Sequence, residues 1–110
     1  MAYDEELAGR IRAQLAGRTG VTEKKMFGGL AFLVGGNMAV AASGQGGILV
    51  RVDPEESDGL VASTPAETMV MRGRSMTGWL RVAAADVADD AALAEWVERG
   101  YGYASSLPAK

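Results

Sequence analysis

The chain contains neither cysteine nor histidine, so it lacks the side chains that most often serve as thiolate nucleophile, imidazole base or zinc and haem ligand. Chemistry is left to hydroxyls, carboxylates, lysines and arginines. Ser75 lies in Gly73-Arg74-Ser75-Met76-Thr77-Gly78, which has neither the Gly-x-Ser-x-Gly spacing nor the strand-to-helix setting that exposes a nucleophilic serine. It reads as a turn serine. The acidic groups Asp53 to Glu56 and Asp89-Asp90 fall at expected helix starts, where carboxylates cap free amides and offset the helix dipole. They lack the alternating ligand positions of a calcium loop. Gly44-Gln45-Gly46-Gly47 joins two strands and opens no helix, so it makes neither a dinucleotide turn nor a P-loop. No catalytic residue, cofactor or metal site is assigned, and the chain is not expected to be an enzyme.

One pattern has a positive chemical reading. Arg72-Gly73-Arg74-Ser75 places two guanidiniums around a glycine turn, an arrangement that grips phosphate or carboxylate bidentately with help from turn amides. With Lys24 and Lys25, Arg72 and Arg74 are the candidate anion-binding residues. The alternative is a solvated hairpin tip whose arginines pair weakly with nearby acids.

The elements that must position these residues follow from capping and periodicity. Asp4 caps a first helix to about Ala16, in which Leu7, Ile11 and Leu15 share one face, and Gly17 stops it. Strands Met26 to Val34, Met38 to Ser43 and Ile48 to Val52 follow, divided by Gly35-Gly36-Asn37 and Gly44-Gln45-Gly46-Gly47. Loops this short force antiparallel neighbours. Asp53-Pro54-Glu55-Glu56 opens a second helix with a capping box, ending near Ala62. Thr68 to Met71 and Met76 to Val82 form a second hairpin around the arginine turn. Asp86 or Asp89 then caps a long helix in which Leu93, Trp96, Val97 and Gly100 repeat on one side, and Pro108 ends it. The order α-βββ-α-ββ-α specifies a two-layer α+β domain, a five-stranded antiparallel sheet with helices on one face.

Strand parity divides that sheet into two sides. Leu30, Phe32, Val34, Ile48, Val50, Val52, Met69, Met71, Met76, Leu80 and Val82 form the core side. Leu33, Leu49, Val70 and Trp79 take the other side with Arg51, Arg72 and Arg81. If helices cover only the first side, the second is an open apolar surface bearing arginines, and Leu33, Leu49, Arg51, Val70, Trp79 and Arg81 are a candidate partner surface. Coverage by the last helix or the glycine loops is the alternative.

At 110 residues and 11.5 kDa the chain has room for one domain, here residues 1–110. Its 48% hydrophobic and 23% charged residues are an ordinary globular balance. A net charge of -3 and few aromatics argue against direct nucleic-acid binding, which needs phosphate neutralisation. The uncharged run between Lys25 and Arg51 is long enough to span a bilayer, yet its glycine clusters mark turns, so no membrane span is expected. The acidic start MAYDEELAGR has no apolar signal region, which places the protein in the cytoplasm.

Several of these residues together carry a resemblance. Lys24-Lys25-Met26-Phe27-Gly28-Gly29, Phe32, Gly36-Asn37-Met38, Arg51-Val52-Asp53, Gly73-Arg74, Met76 with Gly78-Trp79, Trp96, and Tyr103-Ala104 before Leu107-Pro108 resemble the N-terminal domain of the TfoX/Sxy competence-regulator family. The resemblance covers nearly the whole chain. It implies a fold similar to type III secretion chaperones and a role in transcriptional regulation of DNA uptake. The family's full-length members carry a further C-terminal helical domain that this sequence does not contain, and no catalytic residues carry over.

The expectation is therefore a small cytoplasmic regulatory or adaptor domain acting through protein contacts. The alternative is an anionic small-ligand domain, or an enzyme, built on the Arg72-Arg74 turn. An uncovered apolar face or a free edge strand invites a partner protein or a second copy, and a homodimer is the commonest solution. A monomer whose arginine stems shield the patch is the competing outcome.

Overall fold

The computed structural model describes residues 4–26 and 28–109, with only the backbone described at Met71. Phe27 of the Met-Phe-Gly-Gly motif and the Met71 side chain, expected in the core, lie outside the described residues. Helix α1 (Glu5–Leu15) begins where the Asp4 carboxylate accepts hydrogen bonds from the amides of Glu6 and Leu7, at 3.0 and 3.1 Å. Two donors that a helix start leaves free are thereby satisfied. Strands β1 (Val21–Met26), β2 (Gly29–Val34), β3 (Asn37–Ala42) and β4 (Ile48–Arg51) follow, then α2 (Pro54–Ser63), β5 (Glu67–Met71) and β6 (Arg74–Val82). A single 3-10 turn, Ala84–Val87, leads into α3 (Asp90–Ser106). None of the described helices is long and apolar enough to cross a membrane.

The domain is α+β, and its antiparallel sheet has six strands in the order β1-β2-β3-β4-β6-β5 rather than the expected five. The missed strand is β1. Val21-Thr22-Glu23-Lys24-Lys25-Met26 shows no apolar alternation because it is an edge strand, where charges keep other chains from pairing. What reads as one strand from Met26 to Val34 is the end of β1, a turn at Gly28 with φ of 73°, and β2.

All three helices cover one side of the sheet. Leu7, Ile11 and Leu15 of α1 and Leu93, Trp96 and Val97 of α3 join Leu30, Phe32, Val34, Val40, Ile48, Val50, Leu80 and Val82 in one buried cluster, with Leu60 and Val61 of α2 packed against it. Helix α3 comes close because Gly100 has no side chain. A Cβ there would stand 2.4 Å from the Ala39 carbonyl oxygen on β3. Arg10 ties α1 to the start of α3 through Asp90 at 2.8 Å and the Val87 and Ala88 carbonyls at 2.9 and 3.1 Å. Helix α2 is capped by Asp53, which accepts from the Glu55 amide at 2.9 Å. The reciprocal bond from Glu56 that would complete a capping box is absent among the described residues. Of the two acids expected to cap α3, Asp89 stands at the N-cap position, without a side-chain cap bond, and Asp86 sits in the 3-10 turn.

Parity places two core candidates on the wrong side. Met69 and Met76 belong to a second cluster on the helix-free face. The cause is a bulge: Thr68 pairs with Leu80 while the next pair is Met69 with Met76, so Thr77, Gly78 and Trp79 have no partners on β5. Gly78, with φ of 87°, lets β6 make this bend, and its amide donates to the Ser57 hydroxyl at 3.3 Å. Beyond the bend the alternation resumes out of step, which a strict period of two does not anticipate.

Candidate functional site

The helix-free face is built from strand side chains whose alternation shifts at two irregularities, one between β2 and β3 and one between β5 and β6. Ala31, Met38, Ala41, Leu49 and Met69 are buried there, with Met26, Leu33, Met76 and Trp79 packed against them. Among the described residues no helix residue takes part, so strand side chains keep water out. This corrects the expected open apolar surface. Leu49 is only 2% exposed, Leu33 and Trp79 are half-buried, and Val70, at 61%, is the exposed large hydrophobic residue among those described. The contribution of methionine was missed altogether, although β3 carried a signal for a second buried face. All six of its residues, Asn37-Met38-Ala39-Val40-Ala41-Ala42, are buried, and apolar residues on both parities mark a strand covered on both sides.

The arginines of this face differ in their surroundings. The Arg51 guanidinium lies 5.1 Å from the centre of the Trp79 ring and 5.6 Å from that of Tyr103 on α3. It is a cation held between two aromatic faces, tying β4 to β6 and to the last turns of α3. Arg81, opposite Leu49 on β4 and Glu67 on β5, forms no ion pair or side-chain hydrogen bond among the described residues. Arg72 and Arg74 are likewise unpaired and exposed. Arg72 occupies the first central position of a two-residue hairpin turn, with φ of 53° at Arg72 and 77° at Gly73. Both values are positive, as the type I′ turn demands, and asparagine, aspartate or glycine is the usual occupant of that first position.

Arg72 and Arg81 line a depression of about 320 Å³ together with Ser43, Gln45, Leu49, Met69 and Val70. Among the described residues its lining contains two guanidiniums, apolar side chains and neutral polar groups, and no carboxylate. The other two expected anion-binding residues stand elsewhere. Lys24 and Lys25 are on β1, at the opposite edge of the sheet from the Arg72-Gly73 turn, with β2, β3 and β4 between them and that hairpin. As neighbours in a strand they also project to opposite faces. The structure thus brings Arg72 to Arg81, not to the lysines, and Arg74 does not line the depression.

Among the described residues no group of three or more acidic side chains is placed to hold a metal ion. One carboxylate has a shifted acidity. Glu23 on β1 accepts from Arg12 on α1 at 2.6 and 2.8 Å, and this hydrogen-bonded guanidinium holds its carboxyl below the usual range against a smaller opposing effect of desolvation. It braces the edge strand, far from the depression in sheet order.

These features define a class: an α+β domain whose antiparallel sheet is backed by helices on one side and closed by its own side chains on the other. The chain belongs to the TfoX N-terminal domain family, whose model matches residues 13–104. No curated protein and no solved structure matches it.

Proposed function

We propose that this chain is a non-catalytic regulatory or adaptor domain that works by protein contact through its helix-free sheet face. Family membership supports the regulatory part, because the TfoX N-terminal domain suggests a competence-related role. The observation that carries the contact is the depression floored by Leu49 and Met69 and flanked by Val70, Arg72 and Arg81. Arginine is enriched at protein interfaces, and methionine adapts its shape to a partner more readily than a branched side chain does. A cytoplasmic setting and the expected likeness to secretion chaperones belong to this same reading. Direct nucleic-acid binding does not, given a net charge of -3.

The test uses Val70→Asp, which alters an exposed residue and leaves both buried clusters intact, with Ser105→Asp on the exposed side of α3 as control. Cross-linked capture from the native host is expected to lose its specific partner with Val70→Asp and keep it with Ser105→Asp. Identical partner sets for both variants and the wild type, all equally folded, would refute the contact. Sedimentation equilibrium on the same samples identifies a second copy as the partner if the mass exceeds 11.5 kDa and returns to it with Val70→Asp.

A further inference from the structure

We infer that the depression between Arg72 and Arg81 receives an extended acidic segment of a partner protein, two carboxylates on the guanidiniums and an apolar side chain over Leu49 and Met69. This rests on the protein-contact reading above and adds the chemistry of the partner.

Charge supplies the first reason. The chain has 14 acidic against 11 basic residues, yet among the described residues Arg72 and Arg81 have no ion pair, and the depression they share has no carboxylate in its lining. Glu67 faces Arg81 across the β5–β6 ladder and still forms no ion pair with it. Two unpaired guanidiniums beside buried apolar atoms are complementary to carboxylates that arrive with an apolar companion.

Spacing supplies the second. Arg81 is level with Glu67 at one end of β5, and Arg72 follows the other end. At about 3.3 Å per residue, the five steps from Glu67 to Arg72 separate the two backbone positions by about 16 Å. A single small anion is poorly matched to that interval. In an extended peptide residues i, i+2 and i+4 face the same side, so carboxylates at i and i+4 stand about 13 Å apart, and the arginine side chains close the small remainder. The residue at i+2, midway between the carboxylates and on the same side of the peptide, then falls over Met69. Arg72 also holds a left-handed backbone position where asparagine or glycine would be less strained, so the hairpin gains nothing structural from this arginine.

The inference is tested with labelled peptides, flanked by Gly and Ser, carrying Asp-Ser-Leu-Ser-Glu or Glu-Ser-Leu-Ser-Asp, with Lys-Ser-Leu-Ser-Lys as the charge-reversed control. Binding is read by fluorescence anisotropy and by amide shifts in nuclear magnetic resonance spectra. The acidic peptides are expected to bind and to shift the amides of Leu49, Met69 and Arg81. The R72E/R81E double variant should weaken binding by about tenfold or more, whereas Arg74→Glu, outside the depression, should change it by less than about twofold. Equal binding to R72E/R81E, equal binding of Lys-Ser-Leu-Ser-Lys, or no binding at millimolar peptide would overturn the proposal. Displacement of the peptide by inorganic phosphate at the peptide's own concentration would overturn it in favour of a small-anion site. Partner capture that is lost with Val70→Asp but unaffected by R72E/R81E would sink the acidic-segment proposal alone and leave the contact face standing.

Discussion

On the side of the sheet that the helices cover, Phe32, Val50 and Leu80 meet side chains from α1 and α3, whereas on the other side Leu49 and Met69 belong to a cluster whose described members all come from strands. The first side is a conventional two-layer core in which elements distant in sequence close over the strands. The second has no such layer, and its centre is nevertheless dry, because long methionine and tryptophan side chains pack over small alanines. Burial on the helix side is held by backbone elements. On the open side it is held by rotamers, which are far easier to rearrange when something docks.

The largest difference between the sides should appear on truncation. Phe32 is among the largest fully buried side chains, and Phe32→Ala should cost about 3–5 kcal/mol, because the helices and strands around it cannot collapse into the space. Urea denaturation with an unchanged slope would register this as a lowered midpoint. For Leu49→Ala the expected cost is about 2–3 kcal/mol, the lower part of the range for a buried leucine, since Leu33, Met76 and Trp79 can lean inward. A Leu49→Ala loss equal to that of Phe32→Ala would break the comparison and show a second face as rigid as the first.

The two sides also differed in how readily the sequence disclosed them. Leu30, Phe32, Val34, Ile48, Val50, Leu80 and Val82 alternate without interruption, and period-two parity placed each of them in the helix-backed cluster. Parity failed at Met69 and Met76, where Met-Val-Met is apolar in both registers and the bend at Gly78 breaks the count. β1 escaped notice because an edge strand guarded by Glu23, Lys24 and Lys25 looks like a polar loop. Within the candidate site, Leu33, Leu49, Trp79, Arg51 and Arg81 were legible as residues of one face. The pairing of Arg72 with Arg81 was not, because it depends on how the hairpin bends over Met69, and no local pattern encodes that. Lys24 and Lys25 matched the arginine turn in charge alone, and the strand order that separates them is a property of the whole fold.

The smallest effect belongs to the rim, where β1 is braced to α1 by the Arg12–Glu23 pair. Its two hydrogen bonds are short and bidentate, but the side chains remain 55% and 36% exposed, so solvent screens most of the attraction. Glu23→Gln should therefore lower stability by under about 1 kcal/mol at neutral pH, less again in high salt. The sign with pH follows from the lowered acidity of Glu23, whose hydrogen bond to Arg12 favours the charged form in the folded chain. A carboxylate depressed on folding contributes its full stabilisation above its unfolded pKa and loses it as pH falls through the folded one. The gap between wild type and Glu23→Gln should then be constant from neutral pH down to the ordinary carboxylate range and close below it. Thermal melts across that interval would show the closing. A gap that widens in acid, or one insensitive to salt, would mean that Glu23 acts through packing of the edge strand and not through its charge.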